Sequence, residues 1–279
     1  MTYTCFELNV SDNIAHIILN RPEKRNAMIA EFWAELPEII RDIDDNAKAR
    51  VIVISSTGPV FCAGIDIGMF QNDIGGTQDK NHPQYGAGFY LHVKYLQDAL
   101  SALEQCRIPV LAAVQGGCYG AGVDMITACD MRYGTQDSFI TIYEINVGMT
   151  ADVGTFPRIL NHMSEGVVRE LAYTGRNMPA EECKDRGLFN EVYADQNAML
   201  EAVMDIAKEI ASKPPLAIYG CKRIITYSRD HSTEDSLDNI AIWNMSMLNP
   251  SEMMEAMMSG KQKRVGNFQD LPQETKKKS

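Results

Sequence analysis

In 279 residues, 37 acidic side chains outnumber 26 basic ones, and the formal net charge of −11 argues against sequence-independent nucleic-acid binding, because a phosphate backbone selects basic surfaces. A composition of 45% hydrophobic and 23% charged residues is that of a globular protein with one sizeable core and room for an appendage; no apolar run approaches the roughly 18 residues of a membrane span. The seven cysteines, at positions 5, 62, 106, 118, 129, 183 and 221, are odd in number and form no CxxC pair, so they indicate neither a disulfide framework nor a zinc site and fit a reducing compartment.

The first twenty residues read as strands rather than as a signal or transit peptide, and the closing Lys-Lys-Lys-Ser is no recognisable retention or peroxisomal tripeptide, so the cytoplasm is the expected location. Residues 14–20 form an apolar strand that ends in the turn chemistry of Arg21-Pro-Glu-Lys-Arg-Asn26. Met28, Phe32, Leu36, Ile39, Ile40 and Ile43 then recur at helical spacing, with Pro37 expected to kink or restart the helix. A buried strand follows at residues 50–55, and a polar, glycine-containing stretch at 71–83 reads as a mobile loop. Another strand at 109–114, a helix after Gly120 and two short strands within 131–142 continue the alternation, which makes the class α/β.

From Gln196 the pattern turns helical, over 198–211, Pro215–Tyr227 and 233–258, with a basic polar tail after Gly260; we place a boundary near 195, dividing 1–195 from 196–279. In the last helical stretch, Met245, Met247, Met253, Met254, Met257 and Met258 suit either adaptable core packing or a subunit interface. The histidines at 16, 82, 92, 162 and 231 form no close-spaced ligand pair and read as surface or core residues, so no metal is expected.

Two glycine-rich junctions, Cys62-Ala-Gly-Ile-Asp66 and Gly117-Cys-Tyr-Gly-Ala-Gly122, can present backbone N–H groups to a developing negative charge, although such loops also serve tight turns and close packing. Three carboxylates stand beside glycine-rich sequence: Asp124, Glu144 and Asp152. Singly, Asp124 suits a helix N-terminus, Glu144 the solvated end of a strand, and Asp152 the cap of a helix beginning at Val153-Gly-Thr-Phe. Their joint occurrence points to proton shuttling on a bound substrate.

Together with Phe61-Cys-Ala-Gly-Ile-Asp66 and Leu19-Asn-Arg-Pro-Glu-Lys-Arg-Asn-Ala27, these strings make the chain resemble the crotonase (enoyl-CoA hydratase/isomerase) superfamily over roughly its first 195 residues, and within it the dienoyl-CoA isomerases. The resemblance implies a ββα spiral core with a C-terminal helical oligomerisation region, assembled as a homotrimer or homohexamer. It implies an acyl-CoA thioester as substrate and no separate cofactor. By the same resemblance the oxyanion donors are the N–H groups of Ile65 and Ala121, and Lys24, Arg25, Ala27, Ala63, Asp66 and Ile67 contact coenzyme A. Ala121 stands where many relatives carry glycine, which keeps the donor but reduces backbone freedom.

The implied reaction turns a 3,5-dienoyl-CoA into its 2,4-dienoyl isomer in fatty-acid β-oxidation, with Asp152 removing a C2 proton, Glu144 protonating C6 and Asp124 tuning the balance. Burial and mutual repulsion would keep one acid ionised and another protonated near neutral pH. An enoyl-CoA hydratase or a Δ3-Δ2-enoyl-CoA isomerase of the same fold is the alternative, and a non-catalytic acyl-CoA-binding protein is a further one. Hydratases resemble this chain at Glu144 but typically carry glutamate where Asp124 stands and a small residue where Asp152 stands. Two adjacent cations such as Lys24 and Arg25 also occur on any solvated turn.

Overall fold

A computed structural model describes residues 2–71 and 79–274, so most of the loop expected at 71–83 and the last five residues lie outside the described chain. The chain opens with a hairpin, β1 (Phe6–Ser11) and β2 (Ile14–Leu19), whose two turn residues Asp12 and Asn13 both take positive φ, 52° and 61°. That is the two-residue turn whose twist matches antiparallel strands, and Asp and Asn tolerate it better than other side chains. Then come β3 (Val51–Ser56), β5 (Val110–Val114), β7 (Met131–Thr135) and β10 (Glu191–Tyr193), which lie parallel to one another in the order β1-β2-β3-β5-β7-β10.

A second sheet holds β4 (Val60–Cys62), β6 (Gly117–Tyr119), β8 (Phe139–Thr141) and β9 (Met178–Pro179), in that order. The chain therefore steps from the large sheet to the small one three times, β3 to β4, β5 to β6 and β7 to β8. This is the ββα spiral that the resemblance implied. The two short strands expected within 131–142 do not pair with each other, because each belongs to a different sheet.

Both faces of the large sheet are covered, and the period of two along each strand divides its side chains between two cores. Ile52 and Ile54 of β3 and Val110, Ala112 and Val114 of β5 point into the main core, while Val51, Val53, Leu111 and Ala113 point the other way. That second face is sealed by α7 (Gln196–Ala211), whose Met199, Val203, Ala207 and Ala211 recur every fourth residue on one side. Each buried isoleucine or valine of β3 contributes about 1.5–3 kcal/mol by leaving water.

Helix α1 (Ala30–Asp45) buries Phe32, Trp33, Leu36, Ile39, Ile40 and Ile43 and packs against α2 (Tyr85–Gln105). Pro37 sits inside α1 and is itself buried; the helix does not restart there, since packing of this apolar face outweighs the one hydrogen bond the ring removes. Met28 is not part of the helix but bridges to Ile65.

The expected helix over 233–258 is two helices, α9 (Thr233–Met247) and α10 (Pro250–Gln262). Pro250 lacks an N–H and pushes the preceding residues into extended conformation, Leu248 at ψ 120° and Asn249 at ψ 110°, and the Asn249 side chain caps the new helix by accepting from Ser251 N–H at 3.0 Å. Before them, α8 (Pro215–Tyr227) is locked to the core by the buried Lys222, whose ammonium donates to Leu103 O (3.0 Å) and Ile108 O (2.9 Å) and pairs with Asp130 (2.9 Å).

Candidate active site

Two backbone segments meet beyond the ends of β4 and β6. Residues 63–66 run beside 25–28: Ala63 N–H donates to Arg25 O (3.0 Å), Met28 N–H to Gly64 O (2.8 Å) and Asp66 N–H to Met28 O (2.9 Å). Met28 thus uses both its backbone groups on the neighbours of Ile65, and a parallel bridge of this kind turns the Ile65 N–H to the opposite side. Beyond β6 the chain turns at Gly120, φ +50° and ψ −121°, into α3 (Ala121–Thr127), whose first N–H has no carbonyl of the preceding turn to take it. Among the described residues neither Ile65 N–H nor Ala121 N–H donates to a protein acceptor.

The two loops touch. A Cβ added to Gly64, whose φ is +85°, would lie 3.0 Å from Tyr119 O and 3.6 Å from Ala121 N, so only glycine lets them approach this closely. Asn26 holds the arrangement from behind, with Nδ2 donating to Thr57 O (2.9 Å) and Val60 O (3.0 Å) and Oδ1 accepting from Arg21 N–H (2.9 Å).

The three predicted carboxylates converge on this place. Asp124, one turn into α3, is 1% exposed; its Oδ1 accepts the N–H of Thr155 at 2.5 Å and its Oδ2 is buried without a hydrogen-bond partner among the described residues. Thr155 is the first residue of α4 (Thr155–Ile159), so the acid at its N-terminus is Asp124 rather than Asp152, and the capping alternative for Asp152 fails. Glu144 opens a short 3-10 helix, Glu144–Val147, and its Oε2 is likewise buried and unpartnered. A Cβ on Gly120 would meet Glu144 Oε1 at 3.2 Å, so the missing side chain makes room for this carboxylate. Asp152 is half-buried in the stretch leading to α4, and Gln97 of α2 donates to its backbone oxygen at 2.7 Å.

Burial raises the pKa of all three acids. Asp124 is pushed up to about 7 by desolvation first and then by the charge of Glu144, with Asp152 adding to it and the Thr155 hydrogen bond opposing. Glu144 is raised by desolvation and by Asp152. Asp152 is raised by desolvation, but its own backbone and the nearby His92 pull it back. Asp124 can thus hold or release a proton near neutrality, and at Asp152 the neighbouring His92 draws the raised carboxyl back down. A cavity of about 400 Å³ opens onto Asp152 from the side of α2 and α4, between Gln97, Ser101 and Arg158.

Of the residues expected to contact coenzyme A, Lys24 and Arg25 are exposed on the turn after Pro22, and Arg25 has left-handed backbone, φ 51°. Ala27, Ala63 and Asp66 lie in the zipped segments and are half-buried, and Ile67 is 78% exposed beside them. Together they form one edge running up to Ile65. Sequence reasoning missed Gln97 and His92, because no local signal marks a polar residue on α2 as facing a segment fifty or more positions away. It also missed Thr155, whose backbone N–H meets Asp124.

Residues 9–270 match the family model described as enoyl-CoA hydratase/isomerase. The chain is 41% identical to the rat protein named Delta(3,5)-Delta(2,4)-dienoyl-CoA isomerase, mitochondrial, over 257 residues that cover 90% of this chain and 77% of the rat one. It is 36% identical to the Arabidopsis thaliana protein named Delta(3,5)-Delta(2,4)-dienoyl-CoA isomerase, peroxisomal, with 94% of this chain and 95% of that one covered. Among solved structures, enoyl-CoA hydratase from Bacillus anthracis superposes with a TM-score of 0.85 over 95% of this chain and 99% of its own, at 24% identity, which speaks to the fold alone.

Proposed function

The chain belongs to the enoyl-CoA hydratase/isomerase family of crotonase-fold enzymes, and we propose that within it the protein converts 3,5-dienoyl-CoA thioesters to their 2,4-dienoyl isomers, as a step of fatty-acid β-oxidation. The observation that carries this reading is the third carboxylate: Asp152 joins Glu144 and Asp124 in one cluster whose charges act on each other. Moving a proton from C2 to C6 needs a base and an acid several ångströms apart, whereas activating one water needs only neighbouring groups. A third carboxylate fits the first task.

In the proposed mechanism the thioester oxygen accepts from the N–H groups of Ile65 and Ala121, which stabilise the dienolate as it forms. Asp152, whose raised carboxyl His92 draws back down, removes the C2 proton, and Glu144 delivers a proton to C6. Lys24 and Arg25 offer charge to the phosphates of coenzyme A, with Ala27, Ala63, Asp66 and Ile67 along the same edge. Coenzyme A belongs to the substrate, and the mechanism calls on no further cofactor.

The test is the pair Glu144→Gln and Asp152→Asn. Each removes one proton-transfer group at nearly constant shape and should lower kcat by roughly 100-fold or more, the usual scale of acid–base catalysis. Unchanged turnover in both would overturn the assignment.

Exposed apolar side chains on α9 and α10, among them Met245 at 81% and Met257 at 69%, support a C-terminal helical region, placed at 196–279, that joins copies of the chain into a trimer or hexamer. Among the described residues no helix is long and apolar enough to cross a membrane. The relatives' names give mitochondrion and peroxisome for those proteins, and cell fractionation would decide between these compartments and the cytoplasm for this one.

A further inference from the structure

The proton balance of the proposed isomerisation leaves the site in the wrong state after every turnover. Substrate and product are isomers, so no proton is gained or lost overall. Yet the C2 proton ends on Asp152 and the C6 proton comes from Glu144, so Asp152 finishes protonated and Glu144 ionised, the reverse of the start. A second turnover requires one proton to travel from Asp152 to Glu144.

Asp124 is placed to carry it. Its Oδ1 holds the N–H of Thr155, three residues after Asp152, at 2.5 Å. One helical turn before it stands Gly120, the residue whose absent Cβ leaves room for Glu144 Oε1. Oδ2 of Asp124 and Oε2 of Glu144 are both buried and both lack partners among the described residues. Two bare carboxylate oxygens in a dry site are costly when charged, and a mobile proton relieves that cost. At 1% exposure Asp124 has little access to water of its own.

Resting on the isomerase reading above, we propose that Asp124 is an internal relay that returns the substrate-derived proton from Asp152 to Glu144 between turnovers. When the carboxyls come within hydrogen-bond reach of one another, Asp124 passes its proton to the Glu144 carboxylate and accepts the one on Asp152, whose charges already act on it, with one O–H bond breaking and one forming at each transfer. A carboxyl pushed up to about 7 holds and releases a proton with nearly equal ease at neutral pH, which suits a relay. The competing route is water entering the cavity of about 400 Å³ that opens onto Asp152. Only the relay keeps the substrate's own hydrogen.

The experiment supplies a 3,5-dienoyl-CoA deuterated at both C2 positions in ordinary water, in excess over enzyme, and reads deuterium at C6 of the 2,4-dienoyl product by mass spectrometry and NMR. The wild-type protein should place deuterium at C6 above a non-enzymatic control. In Asp124→Asn, whose amide oxygen can still accept from Thr155 N–H, most of that label per product formed should be lost. A structural role for Asp124 would slow the reaction but leave the label per product unchanged. Product formed by the wild type without C6 label, or equal label per product in the variant, would overturn the relay and leave the isomerase reading standing. No 2,4-dienoyl product from the wild type would remove that reading and the relay together.

Discussion

Asp124 joins a structural contact and a perturbed ionisation in one side chain. It caps α4 through Thr155 N–H, yet burial and the neighbouring Glu144 raise its carboxyl from an ordinary 3.8 to about 7. Between those values the folded protein binds more protons than the unfolded chain, so this group's contribution to stability is present at low pH and is lost as pH rises through about 7. Glu144 and Asp152, also raised, act in the same direction. Urea unfolding at pH about 5 and about 7 should therefore show the wild type losing stability on the alkaline side, with Asp124→Asn losing less. Equal losses would contradict the assigned environment. The identities of the three acids were legible because each stands in glycine-rich sequence, but the contact between Asp124 and residue 155 was not, since it spans 31 positions and is made by a backbone N–H.

Among the elements, α2 bears most on the site although no sequence motif lies on it. Gln97 ties α2 to the backbone of Asp152 at 2.7 Å, and its Oε1 accepts from Lys94 at 3.1 Å. Between the 3-10 helix that Glu144 opens and the start of α4, the chain carrying Asp152 has no regular structure, so this bond ties down the backbone of Asp152. Gln97→Leu should lower kcat by roughly tenfold or more through misplacement of Asp152 while the melting temperature changes little. Unaltered kcat would show that the segment is held by other contacts. The strands β2, β3 and β5 were readable from their apolar runs, and α1 from its spacing. Pro37 does not restart α1, one of the two outcomes expected of it, because propensity is local while the buried face of α1 is a tertiary gain. The break at Pro250 was available in the sequence, but the methionine-rich pattern on either side concealed it.

At the scale of the whole molecule, the spiral was invisible to the sequence because its second sheet is built from strands of three residues or fewer, too short for any periodicity to register. What the spiral achieves is alignment: β4 and β6 are neighbours in one small sheet, so the loops leaving them bring Ile65 and Ala121 side by side. The outermost helices carry a different signal. With Met254 65% and Met257 69% exposed on α10, the chain presents an apolar face that single subunits in water rarely keep. Light scattering should return three or six times the 31.1 kDa chain mass, and Met254→Lys with Met257→Lys should shift the population toward monomer. A monodisperse wild-type monomer would contradict this.

Ultraviolet absorbance on mixing the protein with a 3,5-dienoyl-CoA, beside a 2-enoyl-CoA hydration control, reads the proposed reaction itself. Growth of the conjugated 2,4-dienoyl band is the predicted result. No growth of that band together with rapid loss of the enoyl absorbance would contradict it and make the protein a hydratase.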